Sequence, residues 1–431
     1  MKVVHDPIHG SIPIGGVFQD VADRHEMQRL RYVRQLGMGF LVFPGANHTR
    51  FEHSLGVYHL AGRMADAIDL SKEDSDLVRM AGLLHDMCHS PFSHTLEKTT
   101  EKATGMDHME LARAIVTGKA RNHLPSYGDL FDGVGTIGEM VSAEGIDPEE
   151  VCDLIAFHES RSENLDGFTG GQTWFRSRDY AHQIIHGPVD ADQMDYLMRD
   201  AHYTGMTHGD IDCERLINTM AVHNDRIVIN RGGITAAEGL MVSRSLMYTS
   251  VYFHETVKIA ERMLVKAVED SGVDLSSLYL WNDSDLMQAL LSTDGRAAGT
   301  ARRLLSRNLY KKAAIVYAEE TTEDIASVLV QYSGSAGRAR LEQEVADAAG
   351  VDVYDVAAEV TPKSNLQSLA KVGKTDVAIL DSEGRVKPLT RISPIAKSLQ
   401  SRDTYGWSVM VASPKDKREA VSKAARKVLG L

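Results

Sequence analysis

At 431 residues, with 43% hydrophobic and 25% charged positions, the chain is long enough for two or three domains with substantial cores and is not a disordered polymer. Its formal net charge of -13 argues against broad nucleic-acid binding through overall electrostatics. The lack of a signal peptide and of a membrane-length apolar run reads as a cytoplasmic protein without membrane contact.

In chain order, Thr49-Arg50-Phe51-Glu52 forms a capping box, and Leu55, Tyr58, Ala61, Met64, Ala65 and Ile68 recur at helical spacing, so a helix is expected with His53 in its first turn. Ser71 with Asp74 starts a second helix, whose apolar stripe of Leu77, Met80, Ala81 and Leu84 runs straight into His85-Asp86, with Pro91 as its boundary. A His-Asp pair at the end of an apolar helix is costly to bury, and a bound cation would account for it. Cys88, two residues beyond Asp86, joins Cys152 and Cys213 in a set without a Cys-x-x-Cys pair, which argues against a zinc–thiolate site or a disulfide framework. Residues 121–138 and 160–171 are weakly periodic and end in glycines, the composition of connecting loops or active-site lids.

A third helix is expected over residues 189–200, with Asp192, Tyr196 and Asp200 on one face. Taken singly, Tyr196 reads as core and Asp200 as a solvated partner of Arg199. Stacked four residues apart, the three would reach from a metal toward a sugar or base. Farther on, a hairpin is expected to run from 226–229 to 232–235 through Gly232-Gly233. From residue 313 the pattern changes to strands at 313–317, 353–360, 377–380 and 408–412, alternating with helices at 323–331, 338–349 and 414–429, the last opened by Ser413-Pro414. The expected architecture is mainly α, with a helical core over residues 1–312 and a smaller α+β domain over 313–431. Basic clusters at Arg302, Arg303, Arg307, Lys311 and Lys312, and along the final helix, read more simply as solvated faces than as nucleic-acid sites.

His53, His85, Asp86 and Asp192 make a two-histidine, two-aspartate set. Imidazole suits first-row transition metals and carboxylates suit harder cations, so the set points to one Fe, Mn, Ni or Zn ion in an open site, where bound water becomes a nucleophile near neutral pH.

The runs Arg50-Phe51-Glu52-His53-Ser54-Leu55-Gly56-Val57, Leu84-His85-Asp86-Met87-Cys88-His89-Ser90-Pro91-Phe92-Ser93-His94 and Asp190-Ala191-Asp192-Gln193-Met194-Asp195-Tyr196 resemble the deoxynucleoside triphosphate (dNTP) triphosphohydrolases of the HD superfamily. The likeness extends through Lys2-Val3-Val4-His5-Asp6-Pro7-Ile8-His9-Gly10, the run from Gln28 to Gly37, and Phe43-Pro44-Gly45-Ala46. It implies an all-helical HD phosphohydrolase core in which His53, His85, Asp86 and Asp192 hold the metal. His89, His94 and His108 would wall the α-phosphate, with Glu97 as the acidic partner of His89 and His108 or His94 as the general acid. Arg50 and Arg244 would bind phosphate oxygens; Gln35 and Asp200 the sugar 3′-hydroxyl; Tyr196 would lie beside the sugar. Leu36 and Tyr252 would leave no room for a 2′-hydroxyl.

The implied reaction is attack at the α-phosphorus of a dNTP, giving deoxynucleoside and intact triphosphate, with Mg or Mn accompanying the nucleotide. Lys2, Val3, Asp23, Gln28 and Arg31 match an activator site for GTP or a dNTP, and the family implies a homo-oligomer, tetrameric or dimeric. Four positions depart from the family pattern: Glu97 stands for an aspartate, Gln193 and Glu255 for phosphate-binding lysines, and His5 for an asparagine. The alternatives are an HD phosphohydrolase acting on another nucleotide or phosphoester, and a catalytically silent nucleotide-binding regulator.

Overall fold

The computed structural model describes residues 1–124, 133–156, 179–361, 377–400 and 406–431. Stretch 160–171 and part of 121–138 lie outside the described residues. The protein is mainly α, with small sheets and an α+β C-terminal part. The chain opens with an antiparallel hairpin, β1 (Lys2–Asp6) and β2 (Gly10–Ile14). The two helices expected next are present as α1 (Arg50–Ala67) and α2 (Lys72–Leu84). Glu52 Oε2 accepts from the Thr49 N–H at 2.5 Å, and Ser71 Oγ accepts from the Asp74 N–H at 3.0 Å, so both N-termini are capped as the residue types dictate. Most of α1 is buried all round, and Leu77, Met80, Leu83 and Leu84 of α2 join the same core. At about 1.5–3 kcal/mol for each such side chain, this burial outweighs the cost of bringing polar groups to the helix ends.

Helices α3 (Glu97–Thr104) and α4 (His108–Val116) follow, then α5 (Asp179–His186) and α6 (Ala191–Thr204), which packs on α1. The hairpin expected through Gly232-Gly233 lies upstream instead, pairing β3 (Met220–His223) with β4 (Arg226–Asn230). Its turn is Asn224-Asp225, with φ of 50° and 59°, a pair of left-handed residues that matches the right-handed twist of the flanking strands. The glycines precede α7 (Ile234–Met247), and Gly233 is there because a Cβ would meet Thr219 Oγ1 at 2.2 Å. Helix α7 runs into a single π turn, Tyr248–Tyr252, before α8 (Glu255–Asp270) and α9 (Asp283–Ser292).

The C-terminal sheet has the order β5 (Lys311–Tyr317), β9 (Trp407–Ser413), β6 (Ala357–Val360), all antiparallel. Strand β9 is buried along its whole length because both faces are covered. Val409 and Val411 meet Leu341 and Val345 of α10 (Gly334–Ala349) and Val421 of α11 (Arg418–Leu429), while Met410 and Ala412 join the cluster that holds Ile259 and Met263 of α8. Expected boundaries shift: the strand expected from 313 starts at Lys311 and the helix expected from 338 starts at Gly334. Residues 353–355 form a 3-10 turn because Asp352 caps Tyr354 N–H at 2.9 Å, and the last helix starts at Arg418, after a turn closed by Pro414 O on Lys417 N–H. Strands β7 (Ala378–Leu380) and β8 (Val386–Pro388) do not join this sheet; β7 pairs in parallel with β4, so one sheet draws on residues from either side of position 313.

Candidate metal centre and substrate pocket

The three polar segments meet because three helix ends meet. His53 lies in the first turn of α1, His85 and Asp86 directly follow α2, and Asp192 lies in the first turn of α6. Asp192 Oδ1 stands 3.0 Å from His53 Nε2 and 3.8 Å from His85 Nε2; Asp86 carboxylate oxygens stand 3.5 and 3.4 Å from the same two nitrogens. The Nδ1 atoms are already committed, His53 to Asp195 Oδ2 at 2.7 Å and His85 to the Gly82 carbonyl at 2.9 Å. That leaves both Nε2 atoms buried without a hydrogen-bond partner and turned toward two carboxylates. Burial lowers the pKa of His53, but Asp192 and Asp195 outweigh it and push the value up to about 10. The pocket therefore demands positive charge. Each of the two imidazole nitrogens stands within 4 Å of both carboxylates, and ligand atoms of His53, His85 and Asp192 all lie within 4.8 Å of one another, while Asp86 also groups with His89 and His108; the set could hold one divalent cation.

Asp86 also faces a second cluster, with His89 Nε2 at 3.1 Å and the Arg50 guanidinium bonded to its other oxygen. Arg50 Nε donates to Ser93 Oγ at 2.8 Å, whereas Arg50 Nη2 is buried and without a protein partner, as an anion-binding donor would be. His89 stacks on His108 with ring centroids 4.4 Å apart, and His94 approaches it edge-on at 4.8 Å. Glu97 is not paired with His89, the expected partner; one of its oxygens makes an ion-pair contact with His108 Nδ1 at 2.6 Å and the other bonds His94 Nδ1 at 3.0 Å, because His89 is turned to Asp86. Burial and the nearby Arg50 hold His89 well below the usual imidazole range. Burial also lowers His108, but Glu97 overrides it and raises that group.

The turn between His89 and His94 is strained: Phe92 and Ser93 have φ of 57° and 56°. Asp283 holds it in place by accepting from Phe92 N–H at 2.8 Å and Arg34 N–H at 3.2 Å.

Both clusters open on a cavity of about 460 Å³. Asp192, Tyr196 and Asp200 all line it, with Gln35, Leu36, Arg244 and Tyr252 on the facing walls. Asp200 is not the solvated partner of Arg199: its oxygens meet His48 Nε2 and Tyr252 Oη, each at 2.7 Å. Gln35 Oε1 is buried with no partner. Tyr248, Val251 and Tyr252, all from the π turn, line the cavity together. Gln193 bridges Arg244 Nη1 at 3.1 Å and Asp190 Oδ2 at 2.9 Å. Asp190 is pushed up to about 8, first by burial and then by the neighbouring Asp192.

The residues matched to an activator site occupy a separate exposed face. Lys2 Nζ bonds Asp23 Oδ2 at 3.0 Å, Arg31 Nε donates to Gln28 Oε1 at 2.8 Å, and Val3 is exposed. Glu255 is neutralised by Lys312 at 2.6 Å.

Sequence reasoning missed Asp195, Arg199, Asp6, His9, His48 and Asp283. For Asp195 and Arg199 a signal was available in a glycine within α1, Gly56, where a Cβ would stand 1.8 Å from Asp195 Oδ1 and 2.7 Å from Arg199 Nη2.

A helical core with histidine and aspartate at converging helix ends defines an HD-domain protein, and the family descriptions "HD domain" and "HD associated region" match residues 50–200 and 211–431. The chain belongs to the HD-domain phosphohydrolases that carry this associated region. It is 31% identical over 425 residues to the uncharacterized protein MJ1154 of Methanocaldococcus jannaschii, covering 97% of this chain and 80% of that relative. It is 29% identical over 354 residues to the human deoxynucleoside triphosphate triphosphohydrolase SAMHD1, covering 72% of this chain but 54% of that relative, so it spans about half of SAMHD1. Among solved structures, a hypothetical protein from Aquifex aeolicus superposes with a TM-score of 0.70 at 25% identity, covering 98% of this chain and 99% of that one. A phosphohydrolase from Bacteroides thetaiotaomicron gives 0.69 at 22% identity, covering 96% and 100%, and shares the fold. Among the described residues no helix is long and apolar enough to cross a membrane.

Proposed function

We propose that the protein is a metal-dependent dNTP triphosphohydrolase that cleaves at the α-phosphorus and releases deoxynucleoside and intact triphosphate. One observation carries the reading: a single cavity is lined both by members of the cation-binding set and by the residues matched to sugar and phosphate, Gln35, Leu36, Arg50, Tyr196, Asp200, Arg244 and Tyr252. In this reading His53, His85, Asp86 and Asp192 hold one divalent transition metal, and Mg or Mn accompanies the triphosphate. Such a cation supplies Lewis acidity at phosphorus and at the attacking water.

The chain's own residues do the rest. Arg50, fixed by Asp86 and Ser93, offers its free Nη2 to a phosphate oxygen. Arg244 is aimed by Gln193 at the far end of the cavity. His108, held through Nδ1 by Glu97, carries its second proton on Nε2 and delivers it to the leaving 5′-oxygen; His94 shares the same carboxylate. Gln35 and Asp200 receive the 3′-hydroxyl, while Leu36 and Tyr252 close the side where a 2′-hydroxyl would sit. Lys2, Val3, Asp23, Gln28 and Arg31 form the surface for a GTP or dNTP activator in a homo-oligomer. A second reading, hydrolysis of another phosphoester at the same centre, draws on Gln193, which adds no charge where a triphosphate needs neutralising.

The test is chromatographic separation of products after incubation with each dNTP and Mn²⁺ or Mg²⁺, with and without GTP. Deoxynucleoside plus triphosphate is expected. Nucleoside monophosphate plus pyrophosphate, or stepwise phosphate release, overturns the cleavage position, and turnover only of other phosphoesters favours the second reading.

A further inference from the structure

Behind His53, on the side away from the cavity, lies a buried hydrogen-bond chain that the proposed reaction does not use. Asp195 is wholly buried and accepts four bonds: from His53 Nδ1 at 2.7 Å, His9 Nε2 at 2.6 Å, and Arg199 Nε and Nη2 at 2.8 and 2.9 Å. Arg199 spends its remaining Nη1 on Asp6 Oδ2 at 2.7 Å. Asp6 Oδ1 in turn closes the bend between β1 and β2 by accepting from the backbone N–H groups of Ile8 and His9, both at 2.9 Å. Gly56 supplies the space, since a Cβ there would meet both Asp195 Oδ1 at 1.8 Å and Arg199 Nη2 at 2.7 Å.

We propose that Asp195, braced by Arg199 and by His9 and Asp6 of the N-terminal hairpin, is the positioning residue of the metal centre, so that the hairpin is a working part of that centre. The inference rests on His53 being a metal ligand. An imidazole ligand needs its other N–H held so that tautomer and ring direction are fixed. His85 obtains this from a backbone carbonyl, which any helix end provides; His53 obtains it from a carboxylate, which also makes the ring a stronger donor. A carboxylate buried this deeply keeps its charge and its orientation only while its donors remain. Arg199 forks onto both oxygens of Asp195, His53 shares Oδ2 and His9 shares Oδ1, so loss of His9 leaves Oδ1 with a single donor and loosens the direction in which Oδ2 meets His53.

The experiment measures metal content and Mn²⁺ affinity, by competition with a chelator, for the full-length protein and for His85→Ala, Asp195→Asn, His9→Phe and Gly56→Ala. Wild type is expected to bind metal and His85→Ala to lose it. Asp195→Asn, His9→Phe and Gly56→Ala are expected to bind about 10- to 100-fold more weakly. His9→Phe keeps a ring packed near His59 and removes only the donor, so its metal-free unfolding midpoint stays near wild type while the rise in midpoint on adding Mn²⁺ shrinks. If Asp195→Asn does not fold, His9→Phe and Asp6→Asn decide the matter. Wild-type affinity in these variants, with metal lost in His85→Ala, overturns the proposal and leaves the metal reading standing. Retention of metal by His85→Ala, or none in wild type, overturns both.

Discussion

Tyr252 Oη donates to Asp200 Oδ2 over 2.7 Å, while His48 Nε2 meets the other oxygen at the same distance, so Asp200 enters the cavity with both oxygens already oriented. The tyrosine comes from a π turn and the aspartate from α6, so this wall of the cavity, proposed to face the sugar, is tied together across two elements. Tyr252→Ala removes both the wall and one anchor of Asp200. Turnover of ribonucleotides relative to deoxyribonucleotides is expected to rise, on the order of ten-fold or more, the scale of steric discrimination by one pocket group. Tyr252→Phe keeps the ring and is expected to keep most of the discrimination. An unchanged ratio in Tyr252→Ala removes this residue from sugar selection.

Asp192→Ala takes a carboxylate from between His53 and His85. Loss of bound metal and of hydrolysis together is the expected result, read by elemental analysis and product assay. In wild type, metal at one hundred times its Kd should add about 2.7 kcal/mol to folding, which a chelator reverses. The variant should show no such metal-dependent stabilisation, and full activity in it would exclude Asp192 as a ligand.

His108 gives a signed pH dependence. Glu97 raises its folded pKa above 6.5 against the effect of burial, so the acid form persists to higher pH than in a free imidazole. As general acid, it supports kcat below that pKa, and the rate falls as pH rises through it. Its contribution to stability follows the same direction, complete below the unfolded value near 6.5 and lost as pH climbs through the folded one. Glu97→Gln removes the raising charge and should move the alkaline limb of the rate profile to lower pH. An unmoved limb assigns the proton to another group.

Glu342 of α10 bonds Arg262 Nε and Nη2 at 2.8 Å and Lys266 Nζ at 3.1 Å, all three side chains being buried between α8 and the C-terminal sheet. Glu342→Ala removes the buried carboxylate shared by two cations, leaving Lys266 to the Val353 and Val356 carbonyls and Arg262 to Glu269 at 3.5 Å, and should cost about 3 kcal/mol in denaturant unfolding. A change below 1 kcal/mol would mean that water reaches the pair.

The convergence of the candidate cation ligands was legible because their segments break a rule: helices with apolar stripes do not otherwise run into His85-Asp86 or carry His53 in a first turn. The shared face of Asp192, Tyr196 and Asp200 follows from helical spacing alone. Asp195 was not legible, since three acidic residues at 190, 192 and 195 differ in role only through what α1 and the hairpin place beside them. Glu97 was matched to His89, and only the turn of that ring toward Asp86 sends the carboxylate to His108 and His94 instead. The hairpin was misplaced because Gly232-Gly233 is a louder turn signal than Asn224-Asp225, although the glycine at 233 answers to crowding by Thr219. Asp283 reaches the strained Phe92 turn from far along the chain, a contact no local pattern carries.

Among the described residues, strand β4 finds its parallel neighbour in Ala378–Leu380, through the pairs Ile229 with Ile379 and Asn230 with Leu380. During synthesis the ribosome must therefore deliver the whole stretch between them before that edge is covered. Until then, the emerging polypeptide presents an open row of backbone donors and acceptors to other nascent chains. Fragments ending before residue 377 keep this edge permanently bare, which makes self-association rather than an independently soluble N-terminal half the outcome of cutting the gene there.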